Sequence, residues 1–206
     1  MVYKNLYNRI FFSFLFLFFY FIAINNNFLL FILVTIIYLF IFYEVFQFFN
    51  TFFRVILLYL FISYLCFVFY FFILFDYVLF NTLILIIILF DSFSYMTGKL
   101  VGKNYIFKFI SPKKTIEGYL GGFFFTNFFL VVSFFLINIE IKLILMIILT
   151  NLTICFSIFG DLIESYFKRK NNIKDSSKYI PGHGGFFDRF DSFIASIIML
   201  TIFSLL

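Results

Sequence analysis

A chain of 206 residues that is 65% hydrophobic and 12% charged has more apolar surface than one globular core can hide, because soluble domains carry about 25% charged residues. Lipid must solvate much of it, which excludes a soluble globular protein. The formal net charge of +5 would suggest nucleic acid in a soluble chain. Here the basic residues gather in two loops, so the partners expected are membrane lipids and phosphate-bearing ligands, and nucleic acid is excluded.

Seven apolar runs follow in chain order. They lie near Ile10–Ile24, Phe28–Phe49, Phe53–Phe75, Tyr77–Phe93, Tyr119–Ile137, Ile141–Phe159 and Ser192–Leu206. A helix of about 20 residues crosses the hydrocarbon layer at 1.5 Å per residue, so each run is read as a span. The fold class expected is all-α, a polytopic transmembrane helix bundle of about seven spans with two polar cytoplasmic loops. The first run follows Lys4 and Arg9 but has no small-residue cleavage site, so it reads as an uncleaved span.

Charge supports this count. Alternate loops hold fourteen of the fifteen Lys and Arg residues, and Lys142 alone lies on the opposite side. The positive-inside rule puts the fourteen in the cytoplasm, with the C-terminus outside. The chain is read as one integral membrane domain, residues 1–206, with N-terminal spans over 1–90 and a catalytic region over 91–206. Cys66 and Cys155 lie inside apolar runs without a CxxC partner and read as small buried hydrophobes.

The first polar segment runs from Phe90 to Gly122. Asp91 lies near the end of an apolar span, where a charge costs about 2.5–3.5 kcal/mol at the bilayer centre. It either faces a ligand or caps a helix. Asp91, Ser94 and Tyr95 share a helical face. Ser111 is expected as an N-cap with Pro112 in the first turn, and Lys113 and Lys114 follow. That helix start is either a phosphate site or a solvated basic turn.

The second polar segment, Gly160–Asp191, carries more information. Asp161, Glu164, Ser165 and Lys168 fall on one helical face, Arg169 follows, and Asn171-Asn172 ends the helix. Pro181 to Gly185 forms a glycine-rich turn around His183, the only histidine, which is either a structural hydrogen-bonder or a phosphate contact. Asp188 and Asp191 then open the last span. Carboxylates from two segments suit a hard divalent cation, and Lys and Arg suit phosphate oxygens. Together they point to phosphoryl or nucleotidyl transfer at the membrane surface.

The run Ser165-x-x-Lys168-Arg169, four residues, Lys174-Asp175, Ser177, Ile180, Pro181, His183-Gly184-Gly185, Asp188-Arg189-x-Asp191 resembles the signature of the phosphatidate cytidylyltransferase (CDP-diacylglycerol synthase) family without a departure. Asp91-Ser92, Gly98-Lys99, Gly102-Lys103 and Ser111-Pro112-Lys113-Lys114-Thr115-x-Glu117-Gly118 look like the same family. The motif resemblance covers Asp91–Asp191. The chain is shorter than typical members, which implies one or two fewer N-terminal spans.

The resemblance implies condensation of CTP with phosphatidate to CDP-diacylglycerol and pyrophosphate, with Mg²⁺ and, in described members, a K⁺ ion beside it. It implies Asp161, Asp188 and Asp191 at the metal, and catalytic roles for these three with Lys168 and Arg189. Asp91, Ser111, Lys113, Lys114, Ser165, Arg169, Lys174 and His183 are then the substrate and phosphate contacts. A homodimer is left open. The alternatives are a CTP-dependent enzyme acting on another lipid, such as a polyprenol kinase or a CDP-archaeol-type synthase, and a small transporter using Asp91 and Asp161 along an ion path. The transporter reading fits poorly, because most acids cluster near one membrane face.

Overall fold

The computed structural model describes residues 14–15, 18–24, 26–106, 109–112, 114–137, 142–180 and 184–205. Most of the first apolar run, with Lys4 and Arg9, lies outside them; residues 18–23 of that run are helical. The remaining runs each become a helix: α1 (Asn27–Phe48), α2 (Phe53–Phe69, continued by a π-helical turn Tyr70–Leu74), α3 (Tyr77–Val101), α4 (Ile116–Ile137), α5 (Leu143–Lys170) and α6 (Phe187–Phe203). Five of them, α1 to α5, are long and apolar enough to cross a membrane. The protein is therefore an all-helical, polytopic integral membrane protein. Large apolar side chains face outward along these helices, among them Phe46, Leu58, Phe72 and Leu136, as a hydrocarbon solvent requires and water does not tolerate in such number.

Two helices outrun their apolar stretches. The fourth run was expected to close near Phe93, yet α3 continues to Val101, so Asp91 lies well inside the helix and Ser94 and Tyr95 share it. Likewise α5 runs on past Phe159 to Lys170. Hydropathy marks the part of a helix in lipid; the backbone ladder continues into polar residues wherever packing or a cap supports it. Both thiols are free, as their lack of a partner led one to expect, but they are less buried than expected: Cys66 is half-buried and Cys155 is exposed on α5.

The chain packs as two compact units, residues 1–64 with 166–191, and residues 65–165 with 192–206. In the first, Asn26 caps α1 by accepting from the Phe28 and Leu29 amides. Its core holds Leu30, Ile41, Val45, Ile56 and Leu60, all essentially inaccessible, and a buried Tyr38–Ser63 hydroxyl pair 2.6 Å apart. The Asn171 side chain accepts the Asn50 and Thr51 amides at 2.8 Å each and donates to the Thr51 carbonyl. The α1–α2 turn is thereby tied to the end of α5, and Asn172 leaves that helix at φ +56°, as the Asn-Asn pair led one to expect.

In the second unit, Asp76 caps α3 through the Val78 and Leu79 amides. Helices α3 and α4 approach closely because glycines line the seam. A Cβ on Gly118 would lie 2.9 Å from the Ser94 carbonyl oxygen, and one on Gly121 would lie 2.5 Å from Thr97. The space so freed lets the Thr97 hydroxyl reach the Gly118 carbonyl at 3.1 Å.

Candidate active site

The segment between α3 and α4 folds back on itself. Tyr105 and Thr115 form an isolated antiparallel bridge, and the Ile116 amide donates to the Asn104 carbonyl at 2.9 Å. The Glu117 carboxylate, in the first turn of α4, accepts the Lys103 and Asn104 amides and the Asn104 side chain. This closure moves the helix start. Ser111 was expected to cap a helix at Pro112, but α4 begins at Ile116 and the Thr115 hydroxyl caps it, accepting from the Gly118 amide at 3.2 Å. Ser111 instead makes a turn whose carbonyl accepts the Lys114 amide.

The result is that Lys114 is held against Asp161 of α5, Nζ to Oδ2, at 2.6 Å, with the Tyr119 ring 5.7 Å from the ammonium. Burial alone would lower the Lys114 pKa. The Asp161 carboxylate, with Tyr119 and the more distant Asp91 charge, outweighs it and holds the ammonium well above the ordinary lysine value. Asp91 itself is exposed on α3. Glu164 and Ser165, further along α5, are buried.

The first unit holds a second lysine–aspartate pair. Lys168 Nζ meets Asp188 Oδ1 at 2.6 Å, and only 13% of the lysine side chain and 8% of the aspartate side chain are exposed. Asp188 stands in the first turn of α6. Its other oxygen, Oδ2, accepts the Ser176 amide at 2.8 Å, the Gly185 amide at 2.9 Å and the Ser176 hydroxyl at 3.0 Å. Gly184 takes φ +87° at this point, and a Cβ there would meet Asp188 Oδ2 at 2.5 Å. The glycines thus let backbone amides close on the Asp188 carboxylate. Asp191 is buried nearby on α6. Arg189, Lys174 and Arg169 are exposed, and Arg169 donates to the Ile173 carbonyl. Lys113 and His183 lie outside the described residues.

Sequence reasoning missed Glu44. It lies near the end of the Phe28–Phe49 apolar run and is fully buried. Its carboxylate accepts the Ser177 hydroxyl at 2.6 Å, the Ser176 hydroxyl at 3.1 Å, and the Phe186 and Phe187 amides at 2.8 and 3.0 Å. A carboxylate at the free N–H groups of a helix start is electrostatically favoured. The signal that could have found it is cost: an acid inside an otherwise apolar helix persists only with partners.

Among the described residues, no three His, Cys, Asp or Glu side chains gather as a metal-binding group. The donors present do suit Mg²⁺ by type, since Asp161 and Asp188 are hard oxygen ligands that each already face a cation, Lys114 and Lys168.

Membrane-crossing helices joined by polar segments that carry lysine–carboxylate pairs define a class, a polytopic integral membrane protein with paired charges outside its apolar spans. The cytidylyltransferase family model matches residues 2–206, and the chain belongs to that family. It is 40% identical over 118 residues to a protein of Staphylococcus haemolyticus (strain JCSC1435) named phosphatidate cytidylyltransferase, covering 57% of this chain and 45% of that one. A protein of the same name from Staphylococcus saprophyticus is 40% identical over 126 residues, 61% of this chain and 48% of that one. One from Staphylococcus aureus (strain COL) is 39% identical over 118 residues. The chain spans about half the length of the curated relatives it matches.

Proposed function

We propose that this protein is a phosphatidate cytidylyltransferase, which condenses CTP with phosphatidate on the cytoplasmic face of the membrane. In the reaction a phosphate oxygen of phosphatidate attacks the α-phosphorus of CTP. The bond from that phosphorus to the bridging oxygen breaks, and pyrophosphate leaves. A phosphate monoester is already an anionic nucleophile, so no strong general base is required of the protein. Its task is to position phosphates and to stabilise the charge that develops.

The observation that carries this reading is Asp188, paired with Lys168 at 2.6 Å and fixed by the Ser176 and Gly185 amides, inside the segment whose spacing resembles the family signature. Asp188 and Asp191, with Asp161 added on motif grounds, are proposed to hold Mg²⁺, which would supply charge neutralisation at the triphosphate. Lys168, Arg169 and Arg189 are proposed to bind phosphate oxygens, as are Lys113 and Lys114 of the other polar segment. Ser111, Ser165, Lys174, His183 and Asp91 complete the proposed substrate contacts.

The experiment follows the label. Purified protein is given phosphatidate, Mg²⁺ and CTP labelled at either the α- or the γ-phosphorus. Nucleotidyl transfer puts the α-label into lipid and the γ-label into pyrophosphate. A CTP-dependent lipid kinase would put the γ-label into lipid and leave the α-label in water. Absence of α-label from the lipid fraction would end the cytidylyltransferase proposal.

A further inference from the structure

The network around Asp188 does not stop at the signature residues. The Ser176 hydroxyl lies 3.0 Å from Asp188 Oδ2 and 3.1 Å from Glu44 Oε2, and its amide is bonded to Asp188 at 2.8 Å. One serine therefore bridges two carboxylates from opposite ends of the sequence. Glu44 also binds the segment on its far side, at the Phe186 and Phe187 amides. Gly185 sits between the two acids. A Cβ there would lie 2.0 Å from the Ser176 hydroxyl and 2.6 Å from Glu44 Oε2.

We infer that Glu44 is a positioning residue, which clamps both ends of the Ser176–Phe187 segment so that its amides set Asp188 Oδ2 and leave Oδ1 to a cation. The physical argument is one of alternatives. The Ser176 and Gly185 amides can hold Asp188 only while the segment keeps this fold; Ile180 and Phe187 are buried and Phe186 stacks on Phe40, but apolar contacts are non-directional and do not set where an amide points. Bonds from the Ser177 hydroxyl and the Phe186 and Phe187 amides to one buried carboxylate, with the single Ser176 hydroxyl proton shared between Glu44 and Asp188, supply the constraint. Glu44 touches no reacting group. It acts through Ser176 and Gly185, as an outer partner orients an inner ligand.

For catalysis the inference rests on the proposed cytidylyltransferase reading; for the conformation of the segment it does not. The test therefore has two arms on the full chain in detergent. Hydrogen exchange is measured for wild type and Glu44→Gln, which keeps the volume but places an amide N–H where an acceptor is needed. Exchange is expected to quicken over the Ser176–Phe187 segment and to stay unchanged over Lys103–Thr115. In the activity arm, Glu44→Gln is expected to lower kcat by about 10–100-fold, the usual loss for an outer partner, with KM for CTP nearly unchanged. The double variant Glu44→Gln/Ser176→Ala should lose no more than the worse single variant, and Glu44→Asp should recover part of kcat. Should Glu44→Gln not fold, Ser177→Ala removes one bond to the same carboxylate and is expected to move the same readouts in the same direction, less far. Unchanged exchange over the segment, or multiplicative losses in the double variant, would overturn the inference. Quickened exchange in a protein that transfers no cytidylyl group would keep the clamp and discard the reaction.

Discussion

Two lysine–aspartate pairs of the same 2.6 Å length have different surroundings, and the difference separates a fixed carboxylate from an adjustable one. Around Lys114–Asp161 the lysine side chain is 33% exposed and the aspartate 17%; the lysine arrives on a turn closed by Glu117 and Thr115. Around Lys168–Asp188 both partners are nearly enclosed, and the second carboxylate oxygen is held by two amides and a hydroxyl. A carboxylate so held cannot turn with its lysine. Distance alone therefore does not rank ion pairs; the bonds behind the acceptor do.

That contrast can be broken at its stronger end first. Lys168→Met should destabilise the protein by about 3–5 kcal/mol, the cost of leaving a buried charge unpaired, read as a lowered midpoint of thermal unfolding in detergent. A smaller cost there than at Lys114 would erase the distinction. Next comes the glycine between the two acids. Gly185→Ala must push apart Ser176 and Glu44 and is expected to reduce kcat by about 100-fold, the scale on which small displacements near a reacting centre act, while expression and helicity hold.

The glycines of the α3–α4 seam belong to neither lysine–aspartate pair and set a structural baseline. Gly118→Ala forces a methyl group against the Ser94 carbonyl and should cost about 1–3 kcal/mol by overpacking, read in the same melts. The smallest effect belongs to the more exposed pair. Lys114→Met should cost about 1 kcal/mol or less. Its pH dependence has a definite sign. The folded Lys114 pKa lies above its unfolded value, so the stabilisation is fully present below the ordinary lysine value and is lost only as pH rises through the folded one. Melting curves of wild type and Lys114→Met should thus stay parallel between about pH 6 and pH 9 and converge only in stronger alkali.

The spans were legible because hydropathy over twenty residues is a strong signal that neighbours cannot override. The polar end of α5 was legible from the face shared by Asp161, Glu164, Ser165 and Lys168 and from the Asn171-Asn172 stop, whereas α3 continues past Phe93 to Val101 on ladder bonds and packing that hydropathy does not score. The helix start at Pro112 failed for a related reason. Ser-Pro is a sound local cap signal, but the Tyr105–Thr115 bridge and the Glu117 bonds to Lys103 and Asn104 place the start at Ile116. At the site, the acids and bases of Gly160–Asp191 were legible as chemistry. Their pairing was not, because Asp188 could face Lys168, Arg169 or a metal on spacing alone. Glu44 left the weakest trace of all. A single acid in a phenylalanine-rich run has no period, and its partners lie far along the chain at Ser176, Ser177, Phe186 and Phe187.

Asp188 joins the fold, the motif and the proposed chemistry, so it is the place to test them together. Wild type and Asp188→Asn are assayed side by side for lipid-soluble label from α-labelled CTP with phosphatidate and Mg²⁺. The account predicts CDP-diacylglycerol from wild type and a loss of about 100–1,000-fold per folded molecule in the variant, as for removal of a group that stabilises transition-state charge, the folded fraction of each protein being measured in the same samples. Equal incorporation by the two proteins would contradict it.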